Sequence, residues 1–176
     1  MSKRQIVFSG VGGQGLVSCG KIMGAAAIIE GKNITMTSSY GSEARGTFTK
    51  SDLIISEEPI AFPQVEHEEI VMSLAQVAYD RYAAKLDGEA VMVYDSDEVR
   101  PDTACRAAQF GFPFTRIARS LGYAGAANLV AAGVIVKLTG VLAAASLEQA
   151  LEEKYSGKEK VLATNLAAFR AGYDLV

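Results

Sequence analysis

The chain alternates short apolar runs with longer stretches in which apolar residues recur at helical spacing. Residues 5–8 are a short apolar run that reaches Ser9 and then Gly10-Val11-Gly12-Gly13-Gln14-Gly15, and no strong helix breaker follows until Gly31. That pattern predicts a strand, a tight turn and a helix. A second apolar run at residues 34–37 follows within a few positions. The resulting βαβ crossover predicts parallel pairing with a right-handed connection. Residues 38–46 are polar and contain Gly41 and Gly46, which places a loop at the carboxyl end of the second strand, where ligands of open sheets gather.

From Thr47 onward polar residues surround Phe48, and Asp52-Leu53-Ile54-Ile55 then turns apolar. One or two strands are expected there, with an antiparallel arrangement as one option. Residues 70–73 and 90–94 read as further strands, the first followed by a helix over 76–85, and a short strand at 109–112 precedes Pro113. Helices are expected over 115–121, 126–142, 146–154 and 158–171. Alternating strands and helices predict an α/β fold, a mostly parallel, Rossmann-like open sheet flanked by helices, with a helical C-terminal third. At 176 residues a single domain spanning 1–176 is the default.

Residues 125–145 are nearly continuous in apolar character and long enough to raise a membrane reading. Asn128, Lys137 and Thr139 interrupt the run, and its apolar members are largely Ala and Gly, which transfer little surface. Close packing against the sheet or another subunit suits such a helix better. The first residues carry no apolar run of signal-peptide length. Two distant cysteines, Cys19 and Cys105, fit no metal spacing or disulfide framework, so a reducing, cytoplasmic setting is expected. With 17 basic and 20 acidic residues and no basic run, nucleic-acid binding is not expected.

Gly10, Gly12 and Gly15 match the G-x-G-x-x-G spacing in its required context, after a strand and before a helix. Glycines permit close backbone approach, and the free N–H groups at the helix start favour a phosphate or carboxylate. A nicotinamide dinucleotide site would also want an acid at the end of the second strand. Glu30 has the right offset but sits at the end of the helix, and the strand ends in Thr37-Ser38. A Walker loop fails because no Gly-Lys-Ser or Gly-Lys-Thr follows. Anion binding and a purely structural close-packing turn, helped by Gly20, Gly24 and Ala27, both remain open at this point.

The second loop, Tyr40-Gly41-Ser42-Glu43-Ala44-Arg45-Gly46, shares a rim with the first turn. Read alone, it is a solvated loop in which Glu43 and Arg45 pair. The glycine turn, this loop, Ser51-Asp52 with Ile55-Ser56-Glu57-Glu58-Pro59, and the later Pro113-Phe114-Thr115-Arg116, Asn128-Leu129-Val130 and Asn165-Leu166-Ala167-Ala168-Phe169 segments together cover nearly the whole chain. In that combination the sequence resembles the gamma subunit of 2-oxoacid:ferredoxin (acceptor) oxidoreductases, most closely the 2-oxoglutarate type, with the pyruvate and branched-chain types near.

The resemblance implies a cytoplasmic complex in which a 2-oxoacid is decarboxylated on thiamine diphosphate and electrons pass through iron–sulfur clusters to ferredoxin or a similar acceptor. Coenzyme A takes the acyl group. Thiamine diphosphate, magnesium and the clusters are expected on partner alpha, beta and ferredoxin-like delta subunits, since two cysteines cannot supply four cluster thiolates. No catalytic or metal-ligating residue is expected on this chain. Coenzyme A is the ligand the resemblance implies here, with Gly10, Gly12, Gly13, Gln14 and Gly15 at its phosphates and Tyr40, Glu43 and Arg45 at the ligand or subunit rim. A stand-alone dinucleotide-binding oxidoreductase and a purely structural subunit are the alternatives.

Other residues carry weaker signals. His67, the only histidine, lies in Val65-Glu66-His67-Glu68-Glu69, where consecutive side chains diverge, so an acidic solvated connection is the better reading than a metal site. Asp95 with Asp97 and Glu98 fits a turn or cap better than a divalent cation. Cys19 reads as a buried small hydrophobe, and Asn128 as a cap or an interface donor.

Overall fold

The computed structural model describes residues 3–39 and 47–176. Its strands are β1 (Lys3–Val11), β2 (Asn33–Ser39), β3 (Phe48–Ser56), β4 (Ile70–Ser73), β5 (Val91–Asp95) and β6 (Ala108–Phe112). The helices are α1 (Leu16–Ile29), α2 (Gln76–Ala83), α3 (Phe114–Ser120), α4 (Ala127–Thr139), α5 (Ala144–Lys154) and α6 (Glu159–Tyr173). All six strands form one sheet in the order β2-β3-β1-β4-β5-β6. The ladders β1–β4, β4–β5 and β5–β6 are parallel, and β3 is antiparallel to both β1 and β2.

The expected parallel pairing of the first two strands is corrected. β1 and β2 run in the same direction, but β3 lies between them and bonds both. The composition of the two strands explains the order. β3 buries Leu53, Ile54 and Ile55, and an inner position covers these on both sides. β2 carries Thr35, Thr37, Ser38 and Ser39 and is exposed over its last three residues, which suits an edge.

Alternation along the inner strands splits the core in two. Ile6, Phe8, Ile70, Met72 and Val93 face one side, with α1 and α3 to α6. Val7, Val71 and Met92 face the other, where Tyr79, Tyr82 and Leu86 of the α2 region cover them. α1 and α2 therefore cover opposite faces, and the chain changes direction between the neighbouring strands β1 and β4. In open α/β sheets ligands bind at the carboxyl ends of strands flanking that switch.

Small residues bring the large-face helices close. Ideal Cβ atoms on Gly20 and Gly24 of α1 would lie 3.1 Å from Ser51 Oγ and 3.2 Å from Ile34 Cδ1, so α1 rests almost on β2 and β3. The apolar run at 125–145 proves to be a buried helix within the chain: residues 127–136 of α4 are all buried. Gly133 and Gly172 let α4 and α6 meet backbone to backbone, since a Cβ on Gly172 would fall 1.8 Å from the Val130 carbonyl oxygen. No helix among the described residues is long and apolar enough to cross a membrane.

Candidate functional site

The glycine turn leaves β1 at the switch position and is held from both sides. The Gln14 side chain folds back, accepting the Val11 N–H at 2.8 Å on Oε1 and donating from Nε2 to the Leu74 carbonyl at 2.9 Å. One carboxamide thus ties the turn to the end of β4. Gly10, buried in β1 opposite Thr49, is the residue that makes room, because a Cβ there would meet Gln14 Oε1 at 2.2 Å. Gly15 caps α1 in the left-handed region at φ 71°, where its carbonyl accepts the Cys19 N–H at 2.9 Å and the Asn128 Nδ2–H at 2.9 Å.

These contacts separate the roles of the five turn residues. Gly10, Gln14 and Gly15 build the turn. Gly12 and Gly13 are exposed with open space where a Cβ would stand, and Gly13 adopts φ 93°. Among the described residues no side chain caps the first turn of α1, so the N–H groups at Leu16, Val17 and Ser18 carry the positive end of a 14-residue helix. The arrangement can receive an anion at the backbone.

Clefts open on both flanks of the turn. On the β3 side a cleft of about 320 Å³ adds Thr49 and Lys50 to the turn residues. Lys50 Nζ lies 2.6 Å from Asp52 Oδ2, which partly neutralises its charge. On the other side a cleft of about 470 Å³ runs from Gly13, Gly15 and Ser18 to Tyr123, Asn128 and Asn165. Lys160 and Tyr155 also line it. The sequence reading missed Lys50, Tyr123, Lys160 and Asn165 as site residues, because 35 to 150 positions separate them from the turn. Tyr40, Glu43 and Arg45 lie outside the described residues; their flanks Ser39 and Thr47 are at this rim, with the Gly12 N–H bonded to the Thr47 carbonyl at 3.3 Å.

The other singled-out residues have defined places. Cys19 is fully buried behind the turn, where desolvation pushes its thiol up to about 12. Asp95 is buried and both its oxygens are occupied: Oδ1 accepts the Asp97 N–H and Oδ2 accepts both the N–H and the hydroxyl of Thr115, fixing the start of α3 to the end of β5. His67 is exposed. Its acidic neighbours are not merely solvated, as Glu66 pairs with Lys3, Glu68 with Lys85, and Glu69 accepts the Gln5 N–H at 2.6 Å. At the end of β2, where a dinucleotide site would want an acid, Ser38 instead contacts the Ser51 hydroxyl at 3.3 Å.

Comparison with known proteins agrees with this architecture. A profile for pyruvate ferredoxin/flavodoxin oxidoreductase matches residues 5–175. The 2-oxoglutarate synthase subunit KorC of Methanocaldococcus jannaschii is 38% identical, over 98% of this chain and 94% of its own length. The KorC subunit of Archaeoglobus fulgidus is 33% identical over 97% of this chain and 86% of its own. A keto/oxoacid ferredoxin oxidoreductase gamma subunit from Geobacter sulfurreducens superposes with a TM-score of 0.81 at 35% identity, covering 97% of this chain and 96% of that one. The fold also recurs within the 2-oxoglutarate:ferredoxin oxidoreductase of Magnetococcus marinus, solved with 2-oxoglutarate, coenzyme A and succinyl-CoA bound, at TM-score 0.90 and 24% identity over 99% of this chain and 31% of that one. With nearly its whole length matched, the chain belongs to the pyruvate ferredoxin/flavodoxin oxidoreductase family.

Proposed function

We propose that this chain is the gamma subunit of a multisubunit, thiamine-dependent 2-oxoacid:ferredoxin oxidoreductase of the 2-oxoglutarate type. That enzyme forms an acyl-CoA, CO2 and a reduced acceptor. The observation that carries the reading is the end-to-end match to separate subunits of 2-oxoglutarate synthases, at 38% identity over 94% of the relative's length. With two cysteines in the sequence, the cluster thiolates belong to other chains. Thiamine diphosphate and magnesium fall to the partner alpha and beta subunits, and a ferredoxin-like delta subunit completes the electron path.

The chain's own contribution in this reading is to coenzyme A. Gly12, Gly13 and the first-turn N–H groups of α1 form an open, positively polarised backbone surface that suits a phosphate. Gly10, Gln14 and Gly15 hold that surface in shape, and Tyr40, Glu43 and Arg45, outside the described residues, are assigned in this reading to the ligand or subunit rim. When bound, coenzyme A supplies the thiol that accepts the acyl group; this chain orients it by its anionic end.

Two measurements test the reading. Purified from its native source, the chain should bring subunits that carry thiamine diphosphate and iron–sulfur clusters; a chain that runs alone sinks the subunit assignment. In the assembled enzyme, Gly12→Leu meets open space and no positive φ, so the fold is spared. It should raise the apparent coenzyme A requirement about tenfold, as expected for the loss of one charge-assisted contact, while thiamine loading stays unchanged. An unaltered coenzyme A response removes the phosphate role.

A further inference from the structure

The two edges of the sheet end differently. β6 is five residues long, runs straight into Pro113 and has the Tyr94 ring against its Gly111. A short strand stopped by proline is a poor template for further pairing. β2 has no such guard. It pairs with β3 at all seven of its positions, without a bulge, and Asn33-Ile34-Thr35-Met36-Thr37-Ser38-Ser39 contains neither a charge nor a proline. β3 is its neighbour on one side, and among the described residues no backbone hydrogen bond is made from the other. A regular, uncharged row of N–H and C=O groups therefore faces outward.

The helix above this edge carries exposed apolar surface. A Cβ on Gly20 would stand 3.1 Å from Ser51 Oγ of β3 and 3.2 Å from Met36 Cε of β2, and one on Gly24 3.2 Å from Ile34 Cδ1 of β2 and 3.6 Å from Leu53 Cδ1 of β3. α1 thus lies over the gap between β2 and β3. Ile28 continues the same four-residue spacing along α1 past Gly20 and Gly24, and it is 59% exposed. Ile34 and Met36, although they lie under α1, are only half-buried. An apolar margin borders the open strand.

We infer that β2 is the self-pairing edge of a dimer. A second copy of this chain sets its own β2 antiparallel to this one about a two-fold axis normal to the sheet, which joins the two six-stranded sheets into one. Because the strand is neutral along its length, no register places like charges opposite each other. Each α1 sits half a strand spacing inside its own β2, so the two helix axes come two spacings apart. That is about 10 Å, the separation at which helices pack. This distance selects the occupant: an extended peptide would pair with the strand but leave Ile28 in water, whereas a second copy brings its own α1 to cover it. Lys21 is also exposed on α1, and its flexible stem carries the ammonium clear of the seam. No residue of the glycine turn takes part, so the pairing stands whether or not the turn binds coenzyme A.

Sedimentation equilibrium of the full 176-residue chain should show a dimer by about 100 µM. Ile28→Lys and Thr37→Lys, both at exposed positions, add a charge that the two-fold axis duplicates across the seam. Each should weaken dimerisation at least about tenfold, while the melting temperature of the dilute monomer stays unchanged. Hydrogen exchange gives the local readout: the β2 amides that face away from β3 should exchange slowly in the dimer and rapidly on dilution. A chain that stays monomeric to about 100 µM overturns the inference. A dimer that either variant leaves at full strength, or β2 exchange that ignores concentration, places the contact elsewhere and also overturns it. Outward β2 amides protected only in an assembled enzyme that holds a single copy of this chain would show another subunit's strand on the edge, which overturns it as well.

Discussion

Asn128 of α4 reaches across 113 positions of sequence to donate its amide to the carbonyl of Gly15, the residue that starts α1. The same carbonyl accepts the first helical bond from Cys19, and a Cβ on Gly15 would come 2.4 Å from Asn128 Nδ2. The glycine turn is therefore positioned by the C-terminal helical layer as well as by its own strand. Asn128→Leu removes a buried donor and should cost about 1–3 kcal/mol, read as a lower urea midpoint at unchanged m-value. Asn128→Asp should cost more, because a second buried acceptor then faces the carbonyl.

Gln14 makes the complementary tie, from the turn to the end of β4. Gln14→Glu keeps the bond from the Val11 N–H but sets a carboxylate oxygen against the Leu74 carbonyl. It should destabilise by about 1–3 kcal/mol, and hydrogen exchange at Val11 and Leu74 should accelerate together. If only one of the two sites responds, the side chain does not couple the strands.

Two glycines predict opposite outcomes for the same substitution. Gly172→Ala places a methyl group 1.8 Å from the Val130 carbonyl, so α4 and α6 must separate. A loss of more than about 3 kcal/mol, or failure to fold, is expected. Gly12→Ala meets nothing within 4 Å and should lie within about 0.5 kcal/mol of the parent. Thermal melts of the two variants decide the point.

The contrast between these glycines also marks what the sequence discloses. The strand-turn-helix unit, the later strands and the four C-terminal helices follow from apolar runs and the breakers between them, α4 as a continuous apolar stretch buried on all sides and not as a periodic one. The insertion of β3 between β1 and β2 does not, since a βαβ pattern reads the same whether its strands touch or enclose a third. Only the polarity of Thr35, Thr37 and Ser39 against the buried Leu53, Ile54 and Ile55 hinted at which strand takes the edge. The glycine motif was visible, but its division into builders and exposed residues was not. That division depends on Leu74 and Asn128, which sequence spacing does not connect to Gln14 and Gly15 of the turn.

Cys19 offers a probe of how tightly the turn is sealed. Its thiol is fully buried, pushed up to about 12 by desolvation, and 3.6 Å from the Asn128 carbonyl. The thiolate is the reactive form, so a thiol reagent at pH 8 should label Cys19 only through opening of the fold. In Asn128→Leu the labelling rate should rise about tenfold for each 1.4 kcal/mol of stability lost. Rapid labelling of the folded parent would show that the layer between α1 and α4 is open.

Glu30 matched the spacing of a ribose-binding acid, yet the structure gives it a different task. It ends α1, where Oε1 accepts the Ala143 N–H at 2.7 Å and Oε2 lies 2.6 Å from Lys32 Nζ, clasping α1 to the start of α5. Burial alone would raise its carboxyl, but the hydrogen bonds from Lys32, Ala143 and Ser146 outweigh this and hold it below the ordinary value of 4.5. A carboxylate depressed in the folded state binds protons more readily when unfolded. Its contribution is therefore full above the ordinary carboxylate range and disappears as pH falls through the lowered folded value. Glu30→Gln should lower stability at pH 7 by about 1 kcal/mol. Denaturant melts of parent and variant should converge as the pH is taken below 4.5. A gap that stays constant across that window would mean that the clasp acts through packing and not through the charge.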